Sequence, residues 1–415
     1  MSSPRKLRHI LTQLFGTSAV ARDDRKTAKL ATWSPRAPLN PQADGTLEVH
    51  NYELARGVLR APQVEQSGFG ADIMRGMKRS LMRLPMLFLE GEQHQEQRRA
   101  TARFFAPKWA EDNYRDLIER ETTHLIEDLR RNGTGRLDRM AMDMSVAVAA
   151  EIVGLTGHVL PGMPDRISRF LTNPPVGLPM SPKLVWRIIT SQAKLGLFYL
   201  LDVRPNIKVR RRVPREDVIS HLIGQGYKDS EILTECVLFG AAGMVTTREF
   251  ITMAALHLIE RPMLRDRFVV APEGEQRAIL EEILRLEPVI GKLYRRATAA
   301  FVLPNGDAVA KDQKFEVDVR SSNADGTAVG ECPFHLDPDR TMPDPKTARA
   351  GMSFGDGRHR CPGAFVAMQE SAVFLARLLA LPGLRVVGTP SIAWSNLVGG
   401  YEFHECIIAV DVATT

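Results

Sequence analysis

The sequence has few cysteines and no long apolar stretch, and both shortages narrow the classes of protein it fits. Its 415 residues include four cysteines at irregular spacings, which match neither a disulfide framework nor a paired zinc site. They are Cys236, Cys332, Cys361 and Cys406. We therefore expect a reducing, cytoplasmic environment. No uncharged run approaches the roughly 18–20 residues that cross a bilayer, so we predict no transmembrane segment.

An excess of charge of one sign is also lacking. The chain has 55 basic and 49 acidic residues and a net charge of +6, which is a mild tilt for this length. A nucleic-acid-binding protein usually shows a stronger and more clustered excess, so we expect an acidic protein partner rather than DNA or RNA. With 44% hydrophobic and 25% charged residues, the composition is that of a globular protein.

The first 31 residues form a basic amphipathic extension. Arg5, Lys6 and Arg8 alternate with apolar residues such as Leu7 and Ile10, but the apolar core and cleavage site of a secretory signal are lacking. We predict a surface helix packed on its own protein, with a membrane-surface or targeting role as the alternative.

Helical periodicity dominates from about Asp112 to Leu286 and predicts a mainly α protein. One long helix is predicted from Ser230 to Glu260, a stretch without proline that Arg261-Pro262 ends. Such a helix would have about 30 residues and a length of ~45 Å. Small β-sheets are predicted around the helices, with strands in 46–52, 300–319 and 407–412.

The strongest motif is a glycine-rich loop with a single cysteine, Phe354-Gly-Asp-Gly-Arg-His-Arg-Cys-Pro-Gly363, before a helix-like run from Ala364 to Leu381. Pro362 suits the first helical position, which places Cys361 at the N-cap. Backbone N–H groups and the helix dipole favour a thiolate there, and a thiolate is the form of sulfur that binds a metal. The glycines allow the loop to fold tightly under a flat cofactor.

This loop resembles the haem-binding signature of the cytochrome P450 superfamily at six positions: Phe354, Gly355, Gly357, His359, Cys361 and Gly363. The resemblance implies one catalytic domain over residues 32–415, mainly α with small β-sheets, with a long central helix over a haem. It also implies that Cys361 is the axial thiolate of haem b, that Phe354 shields the sulfur, and that His359 reaches a haem propionate. Because a thiolate ligand favours O–O cleavage, O2 is the implied cosubstrate.

The same resemblance implies further cationic partners for the two haem propionates. His94 and Arg98 lie at i and i+4 and share one helix face, as in the family's helix that covers one side of the haem. Arg295 follows Pro288 where the family places a propionate-binding arginine. The adjacent Arg296 competes for that role, and strand alternation sends the two side chains to opposite faces.

Glu282 and Arg285 resemble the family's E-x-x-R pair on the helix before that strand. A carboxylate and a guanidinium at i and i+3 can form a bidentate pair, and a buried pair with backbone partners fixes a loop. We expect a structural role, in which the pair locks the segment that carries the cysteine loop.

The stretch Ala242-Gly243-Met-Val-Thr246-Thr247 resembles the family's oxygen-activation segment, in which the small Ala-Gly pair leaves a groove. Thr246 aligns with the threonine that orients water beside bound O2. The family usually has a carboxylate just before this threonine, whereas this chain has Val245. Glu249 is the candidate replacement in a proton relay, with a solvent-facing ion pair as the alternative.

Resemblance places the substrate pocket in four stretches, residues 68–88, 170–199, 289–293 and 396–400. The candidate pocket residues are Met77, Met86, Ala242, Val245, Ile290, Gly291, Lys292 and Leu397. Methionines suggest an adaptable apolar wall, although core packing would use the same residues. Lys292 either holds a substrate carboxylate or extends to a propionate.

Taken together, the motifs imply a monooxygenase of bacterial secondary metabolism that hydroxylates, epoxidises or oxidatively couples a small or medium organic molecule. The chain lacks a flavin or nicotinamide fingerprint, so electrons would come from a ferredoxin-type donor and its reductase. Candidate docking residues for that donor are Arg99, Arg103, Arg358 and Arg360. A peroxide-driven haem oxidase, motivated by Val245, and a non-catalytic haem-based ligand sensor are the alternatives.

Overall fold

The computed structural model describes residues 37–68, 71, 83–157, 162–171, 182–395 and 399–411 of the chain. The extension predicted for residues 1–31, and with it the domain boundary at residue 32, lies outside these ranges. Within them the protein is mainly α-helical with small β-sheets, as the sequence predicted.

Helices account for most of the described chain. In chain order they are α1 (Tyr52–Arg60), α2 (Gly91–Ala102), α3 (Pro107–Asn132), α4 (Leu137–Val153), α5 (Met163–Leu171), α6 (Pro182–Phe198), α7 (Arg204–Arg212), α8 (Val218–Gly224), α9 (Asp229–Phe239), α10 (Thr246–Ile259), α11 (Pro262–Val270), α12 (Glu273–Leu286), α13 (Val319–Asn323), α14 (Gly326–Val329) and α15 (Ala364–Leu379). Asn51 caps α1, because its side chain accepts a hydrogen bond from the Leu54 N–H at 2.9 Å. The strand predicted for residues 46–52 is therefore shorter and gives way to a helix at Tyr52.

The strands are short and lie at the edge of the helical body. They are β1 (Leu39–Pro41), β2 (Leu47–Val49), β3 (Val64–Gln66), β4 (Thr134–Arg136), β5 (Lys292–Ala297), β6 (Phe301–Val302), β7 (Ala308–Val309), β8 (Lys314–Asp318), β9 (Arg385–Val387), β10 (Ser391–Ser395), β11 (Gly400–His404) and β12 (Ile407–Ala409). The largest sheet has the order β1-β2-β8-β5-β3, in which β2 and β8 pair in parallel and the other neighbours are antiparallel. Strands β10 and β11 form a separate antiparallel hairpin.

The predicted long helix is present, and it runs without a break from Asp229 to Ile259. At its start, Glu231 accepts a hydrogen bond from the Lys228 N–H at 2.8 Å, which satisfies one of the free donors of the first turn. Pro262 opens the next helix, α11. In the middle, residues Gly240–Val245 form a π-helical turn between α9 and α10, and the sequence pattern gave no sign of it.

The core lies around the long helix. Residues of α10 such as Phe250, Ile251 and Leu256 are buried in one large apolar cluster with side chains of α4 and α15. A second, smaller cluster packs α1 against the five-stranded sheet, with Val58 and Phe315 fully buried. Since α15 begins three residues after Cys361, the cysteine loop leads directly into a helix that packs on the long helix.

Candidate active site

Backbone hydrogen bonds close the cysteine loop. The Cys361 N–H donates to the Phe354 carbonyl oxygen at 2.8 Å, so the loop returns to its own start. Gly357 has a φ of +65°, and a Cβ at this position would lie 2.3 Å from the Leu59 carbonyl oxygen. Only glycine fits there, because both the left-handed backbone and the close approach to α1 exclude a side chain.

The helix after the loop begins at Ala364, as the helix-like run predicted, but its N-cap differs from the predicted one. The first residue of α15 is Ala364 and its N-cap is Gly363, so Pro362 at the first helical position and Cys361 at the N-cap were wrong. The N–H groups of Gly363 and Ala364 still point at the cysteine and form hydrogen bonds to it. The expected donors are therefore the N–H groups of the N-cap and of the first helical residue.

Protein atoms surround most of the Cys361 sulfur, although part of the residue is exposed. Burial raises the pKa of the Cys361 thiol, and the two N–H groups with the guanidinium groups of Arg98 and Arg360 lower it less than burial raises it. The net direction of the pKa is thus opposite to the one that the helix N-terminus predicted, because desolvation outweighs the donors.

Two imidazole rings and two guanidinium groups gather beside the loop. The rings of His94 and His359 lie 4.3 Å apart between centroids. His94 is buried, and its Nδ1 atom has no hydrogen-bond partner among the described residues. Burial, and next the neighbouring His359, lowers the pKa of His94 to about 4. His359 itself lies 3.0 Å from a carboxylate oxygen of Glu90 through Nε2.

The two guanidinium groups bind neutral oxygens. Arg98 donates to the Arg360 carbonyl oxygen at 2.6 Å. Arg295 is buried and donates to the Gln66 side-chain oxygen and, at 2.8 Å, to the Tyr294 carbonyl oxygen. Burial lowers the pKa of Arg295 to about 10. Its neighbour Arg296 points to the other face of the strand and pairs with Glu65, so Arg295 is the arginine on the buried face.

This donor set fits a dianionic group such as the two propionates of a haem. Buried arginines normally take carboxylate partners, because an unpaired buried charge is costly. In the described chain, the hydrogen bonds of Arg98 and Arg295 reach only neutral oxygens, and His94 keeps a free buried nitrogen. Two carboxylates of a bound cofactor would supply the missing acceptors.

The Glu282 and Arg285 side chains form a fully buried bidentate pair. Both N–H···O distances are 2.7 Å. Arg285 also donates to the carbonyl oxygens of Asn323 and Pro333, each at 2.8 Å. On the other side, Glu282 accepts from the Asp337 N–H at 3.1 Å and from Arg340 Nε at 3.2 Å. The pair thereby holds the segment 323–340 against α12.

The same network reaches the start of the cysteine loop. Asn323 accepts a hydrogen bond from the Met352 N–H at 2.6 Å and donates to Ser353 Oγ at 2.9 Å. Ser353 in turn donates to the Leu284 carbonyl oxygen at 2.8 Å. Since Ser353 directly precedes Phe354, the buried pair and the loop share one continuous hydrogen-bond network. Sequence reasoning missed Arg340 and Asn323, because their partners are distant in the chain.

On the long helix, Thr246 lies where the π-helical turn ends. Its hydroxyl donates to the Ala242 carbonyl oxygen at 2.5 Å, while its N–H bonds to the Gly243 carbonyl oxygen. Ala242 is exposed, although it sits in the middle of a helix whose other faces are largely buried. At Gly243, an added Cβ would make ordinary contact with Ala149 at 3.7 Å, and Thr247 is buried.

Phe105 connects the cysteine loop to this helix. Its ring stacks on Phe239 of the long helix, with 6.1 Å between centroids. On the other side, a Cβ at Gly363 would lie 3.9 Å from the Phe105 ring. The loop and the oxygen-activation segment therefore belong to one locality, which sequence reasoning could not derive.

Glu249 is placed differently from both sequence expectations. It is 3% exposed, so the solvent-facing ion pair was wrong. Its Oε2 atom accepts from the Phe403 N–H of β11 at 2.8 Å, and Oε1 contacts the Arg248 guanidinium. Glu249 therefore has one hydrogen bond, from β11, and one ion-pair contact, to the neighbouring Arg248 on its own helix.

The structure describes some, but not all, of the candidate pocket residues. Met77 and Leu397 lie outside the described residues. Met86 is buried, and Val245 and Ile290 are half-buried. Gly291 packs on the hairpin, because a Cβ there would lie 2.0 Å from the Gly399 carbonyl oxygen.

Lys292 has a partner within the protein itself. Its ammonium pairs with Glu316 on the adjacent strand β8. Burial opposes the charge on Lys292, but the bond to Glu316 gives its pKa a net upward direction. Cross-strand pairing therefore gives Lys292 a partner within the sheet, and its role toward a substrate carboxylate or a propionate stays a prediction.

The four arginines expected to face an electron donor divide into two groups. Arg358 donates to the carbonyl oxygens of Ala61, Pro62 and Val64, and Arg103 pairs with Glu216 at 3.0 Å. Arg99 and Arg360 are exposed, and Arg360 directly precedes Cys361 in the chain. Arg358 is therefore engaged within the protein, whereas Arg99 and Arg360 remain on the surface.

Comparisons with known proteins agree with this architecture. The family model "Cytochrome P450" matches residues 276–381, which include the E-x-x-R pair and the cysteine loop. Erythromycin C-12 hydroxylase of Saccharopolyspora erythraea is 26% identical over 358 residues, which is 85% of both chains. Cyclomarin C epoxidase CymV of Salinispora arenicola is 27% identical, over 64% of this chain and 73% of its own length. A structure of a P450 EryK mutant in complex with erythromycin B superposes with a TM-score of 0.74 at 22% identity, covering 94% of this chain and 97% of that one.

The matched motifs, the fold and the relatives define one class of enzyme. The chain belongs to the cytochrome P450 superfamily and is a monooxygenase of that family, an oxidoreductase that uses haem and O2. Among the residues that the structure describes, no helix combines the length and the apolar character that a membrane span requires.

Proposed function

We propose that this enzyme transfers one oxygen atom from O2 to a small or medium organic molecule of secondary metabolism, with Cys361 as the axial ligand of haem b. Hydroxylation of a C–H bond consumes one O2, two electrons and two protons, and it yields the hydroxylated product and one water. The observation that carries the proposal is the Cys361 sulfur, held by two backbone N–H groups beside the buried Arg295 and the half-buried Arg98, whose hydrogen-bond partners are neutral oxygens. The hydroxylases and the epoxidase among the relatives support the reaction class.

The residues that would hold the haem lie on separate elements. Cys361 would bind the iron, Arg98 and Arg295 would each bind a propionate, and His94 and His359 would complete that site with their ring nitrogens. Phe354, Gly355 and Gly363 would line the sulfur side. When bound, the haem supplies the electron transfer and O2 chemistry that no side chain can perform.

On the long helix, the residue that would act in proton delivery is Thr246, through its hydroxyl group. Its proton is committed to the Ala242 carbonyl oxygen, so its lone pairs are available to accept a hydrogen bond from water. Since Val245 carries no carboxylate and Glu249 bonds to Phe403 and Arg248, the protons must come from water ordered by Thr246 or from polar groups of the substrate. Thr247 and Gly243 would shape the helix around this water.

Electrons would come from a ferredoxin-type donor and its reductase. Bacterial P450s take electrons from such partners. The exposed Arg99 and Arg360 give the surface near Cys361 a positive charge, which suits an acidic donor. We assign residues 32–415 to a single catalytic domain, with the basic extension of residues 1–31 outside it.

Isotope labelling tests this function. The full chain, loaded with haem, is supplied with NADH, a ferredoxin and its reductase, under ¹⁸O2, with compounds first selected by a shift of the Soret band. We expect one ¹⁸O atom in the product and NADH consumption that depends on the compound. Product formed with hydrogen peroxide alone, but not with the donor, would favour the peroxide-driven oxidase that Val245 motivates. No product by either route, despite tight ligand binding, would favour the sensor.

A further inference from the structure

Three buried glutamates of the long helix bind backbone N–H groups of other segments. Glu231 accepts from the Arg83 N–H at 3.1 Å, and Glu235 accepts from the Met86 N–H at 3.0 Å. Near the other end of the helix, Glu249 accepts from the Phe403 N–H at 2.8 Å. A carboxylate that bonds to a backbone N–H fixes the position of the main chain, whatever side chain that residue carries.

The segment that Glu231 and Glu235 bind has little structure of its own. Residues Met86–Phe88 form a single 3₁₀ turn. Arg83 places its guanidinium over the Tyr227 ring, 4.5 Å from the centroid, and the Thr101 hydroxyl oxygen lies 3.7 Å from Met86 Sδ. The position of this segment therefore depends on side-chain contacts to the long helix and its neighbours rather than on a strand or long helix of its own.

Burial of the Glu235 carboxyl group at this position costs free energy. It is 4% exposed, and its Oε2 atom has no hydrogen-bond partner in the part of the chain that the structure describes. Burial raises the pKa of Glu235 to about 7, and the single N–H of Met86 lowers it only partly. An apolar side chain would fill the same space without a desolvation cost, so the carboxyl group needs a functional explanation.

The second segment is the hairpin of β10 and β11, and it is held at two points. Glu249 binds the Phe403 N–H in the middle of β11. At the start of that strand, the Gly399 carbonyl oxygen lies so close to Gly291 that a Cβ there would be 2.0 Å away. The two contacts join the hairpin to the long helix and to the stretch before β5.

We propose that Glu235 and Glu249 are positioning residues that fix two walls of the substrate pocket, segment 83–88 and the β10–β11 hairpin, to the long helix. The assignment of these segments as pocket walls rests on the proposed function. The two residues differ in one respect, because the second oxygen of Glu249 contacts the Arg248 guanidinium as an ion pair, whereas the second oxygen of Glu235 has no hydrogen-bond partner and Glu235 forms no ion pair in the described chain.

This difference predicts that only the Glu235 wall responds to pH. Burial keeps Glu235 protonated up to about pH 7, above the ordinary pKa of 4.5. The packed position of this side chain is therefore most stable in acid and loses stability as the pH rises from about 4.5 to 7, because burial of the negative charge outweighs its stronger bond to the Met86 N–H. The ionisable groups nearest to it are Tyr227 and Arg83 across the contact, and Glu231 and Cys236 on its own helix.

Hydrogen exchange and ligand titrations test the proposal. The variants are Glu235→Ala, Glu249→Ala and the isosteric Glu235→Gln and Glu249→Gln, with the exposed Glu127→Ala as matched control. We expect Glu235→Ala to speed amide exchange at residues 83–88, and Glu249→Ala at residues 400–404, with Glu127→Ala unchanged. The Ala variants should raise the dissociation constant of a spin-shifting ligand severalfold and change the ratio of product regioisomers.

The Gln variants distinguish a role for the Glu235 proton from a purely structural role of the side chain. In the wild type, ligand affinity should fall about 3- to 10-fold between pH 6 and 8.5, since coupling to one proton allows up to about tenfold per pH unit. Glu235→Gln should remove this dependence, and Glu249→Gln should keep it. Unchanged exchange in both Ala variants, or a wild-type pH profile in Glu235→Gln, would overturn the proposal. Because exchange needs no substrate, failure of the proposed function would show separately, as a lack of product in the wild type.

Discussion

The cysteine side and the long-helix side of the site are built by different means. On the cysteine side, ten consecutive residues form the loop, and backbone atoms position Cys361 through the Phe354 carbonyl and the N–H groups of Gly363 and Ala364. On the long-helix side, single side chains such as Glu235 and Glu249 bind backbone atoms that are about 150 residues away in sequence. On our proposal, the first arrangement would fix the ligand of the haem iron, and the second would leave the shape of the substrate pocket open to variation.

The comparison indicates which parts of a monooxygenase site need a fixed position. A ligand atom must keep one place, and this loop keeps its shape through its own backbone bonds and through the buried network of Glu282, Arg285 and Asn323 at its start. A pocket wall that is held by one carboxylate can be moved by one substitution. The following changes test that contrast, from the largest expected effect to the smallest.

Removing Arg285 should have the largest effect on the cysteine side. Arg285→Ala leaves the buried Glu282 carboxylate without its bidentate partner and releases the segment 323–340, at a cost of about 3–5 kcal/mol. We expect insoluble protein, or soluble protein with little haem, measured as the haem-to-protein ratio and by urea unfolding. The exposed Arg130→Ala should match the wild type. A soluble, fully loaded Arg285→Ala variant would refute the role of the pair in locking the loop.

Thr246→Ala should change how electrons are used rather than how the protein folds. Without the hydroxyl that bonds to Ala242 and accepts from water, reducing equivalents should go to hydrogen peroxide, and product per NADH should fall severalfold. Thr246→Ser keeps the hydroxyl and should restore most of the coupling. Equal coupling in the Ala and Ser variants would leave substrate-assisted protonation as the better explanation.

Charge reversal on the surface near Cys361 should affect only electron delivery. Arg99→Glu combined with Arg360→Glu should raise the KM for the ferredoxin donor by about tenfold at low salt, and less at high salt because surface charges are screened. Arg130→Glu on α3 is the matched control. If the KM for the ferredoxin donor changed neither with the charge reversal nor with the salt concentration, the donor would bind at another surface.

Lys292→Gln should have the smallest effect. The pair with Glu316 is partly exposed, and such pairs contribute about 0–1 kcal/mol. We expect a free energy of unfolding within this range of the wild type and unchanged binding of substrates that carry a carboxylate. A large loss of affinity for those substrates alone would return Lys292 to the pocket.

The parts of this molecule that were predictable from sequence are those in which the signal is local. The absence of proline between residues 230 and 260 predicted the long helix, and the glycine spacing around Cys361 predicted a tight loop. The π-helical turn at Gly240–Val245 was not predictable, because it depends on how the helix packs rather than on its apolar pattern.

Side-chain partners that are distant in the chain could also not be predicted from the sequence. Lys292 and Glu249 each had a plausible role nearby, but Glu316 and the Phe403 N–H take those side chains in the folded chain. For a residue such as Glu235, no local pattern distinguishes a buried carboxyl group from the exposed acids that helices usually carry.

The most direct test of the central claim is the absorption spectrum of the reduced carbon monoxide complex of the haem-loaded chain. We predict the red-shifted Soret band of a thiolate-ligated haem in the wild type and in Cys332→Ser, where an exposed free cysteine is replaced. In Cys361→Ala that band should be absent, because the loop offers no other sulfur. A Cys361→Ala variant that binds haem and keeps the band would contradict the assignment of Cys361 as the axial ligand.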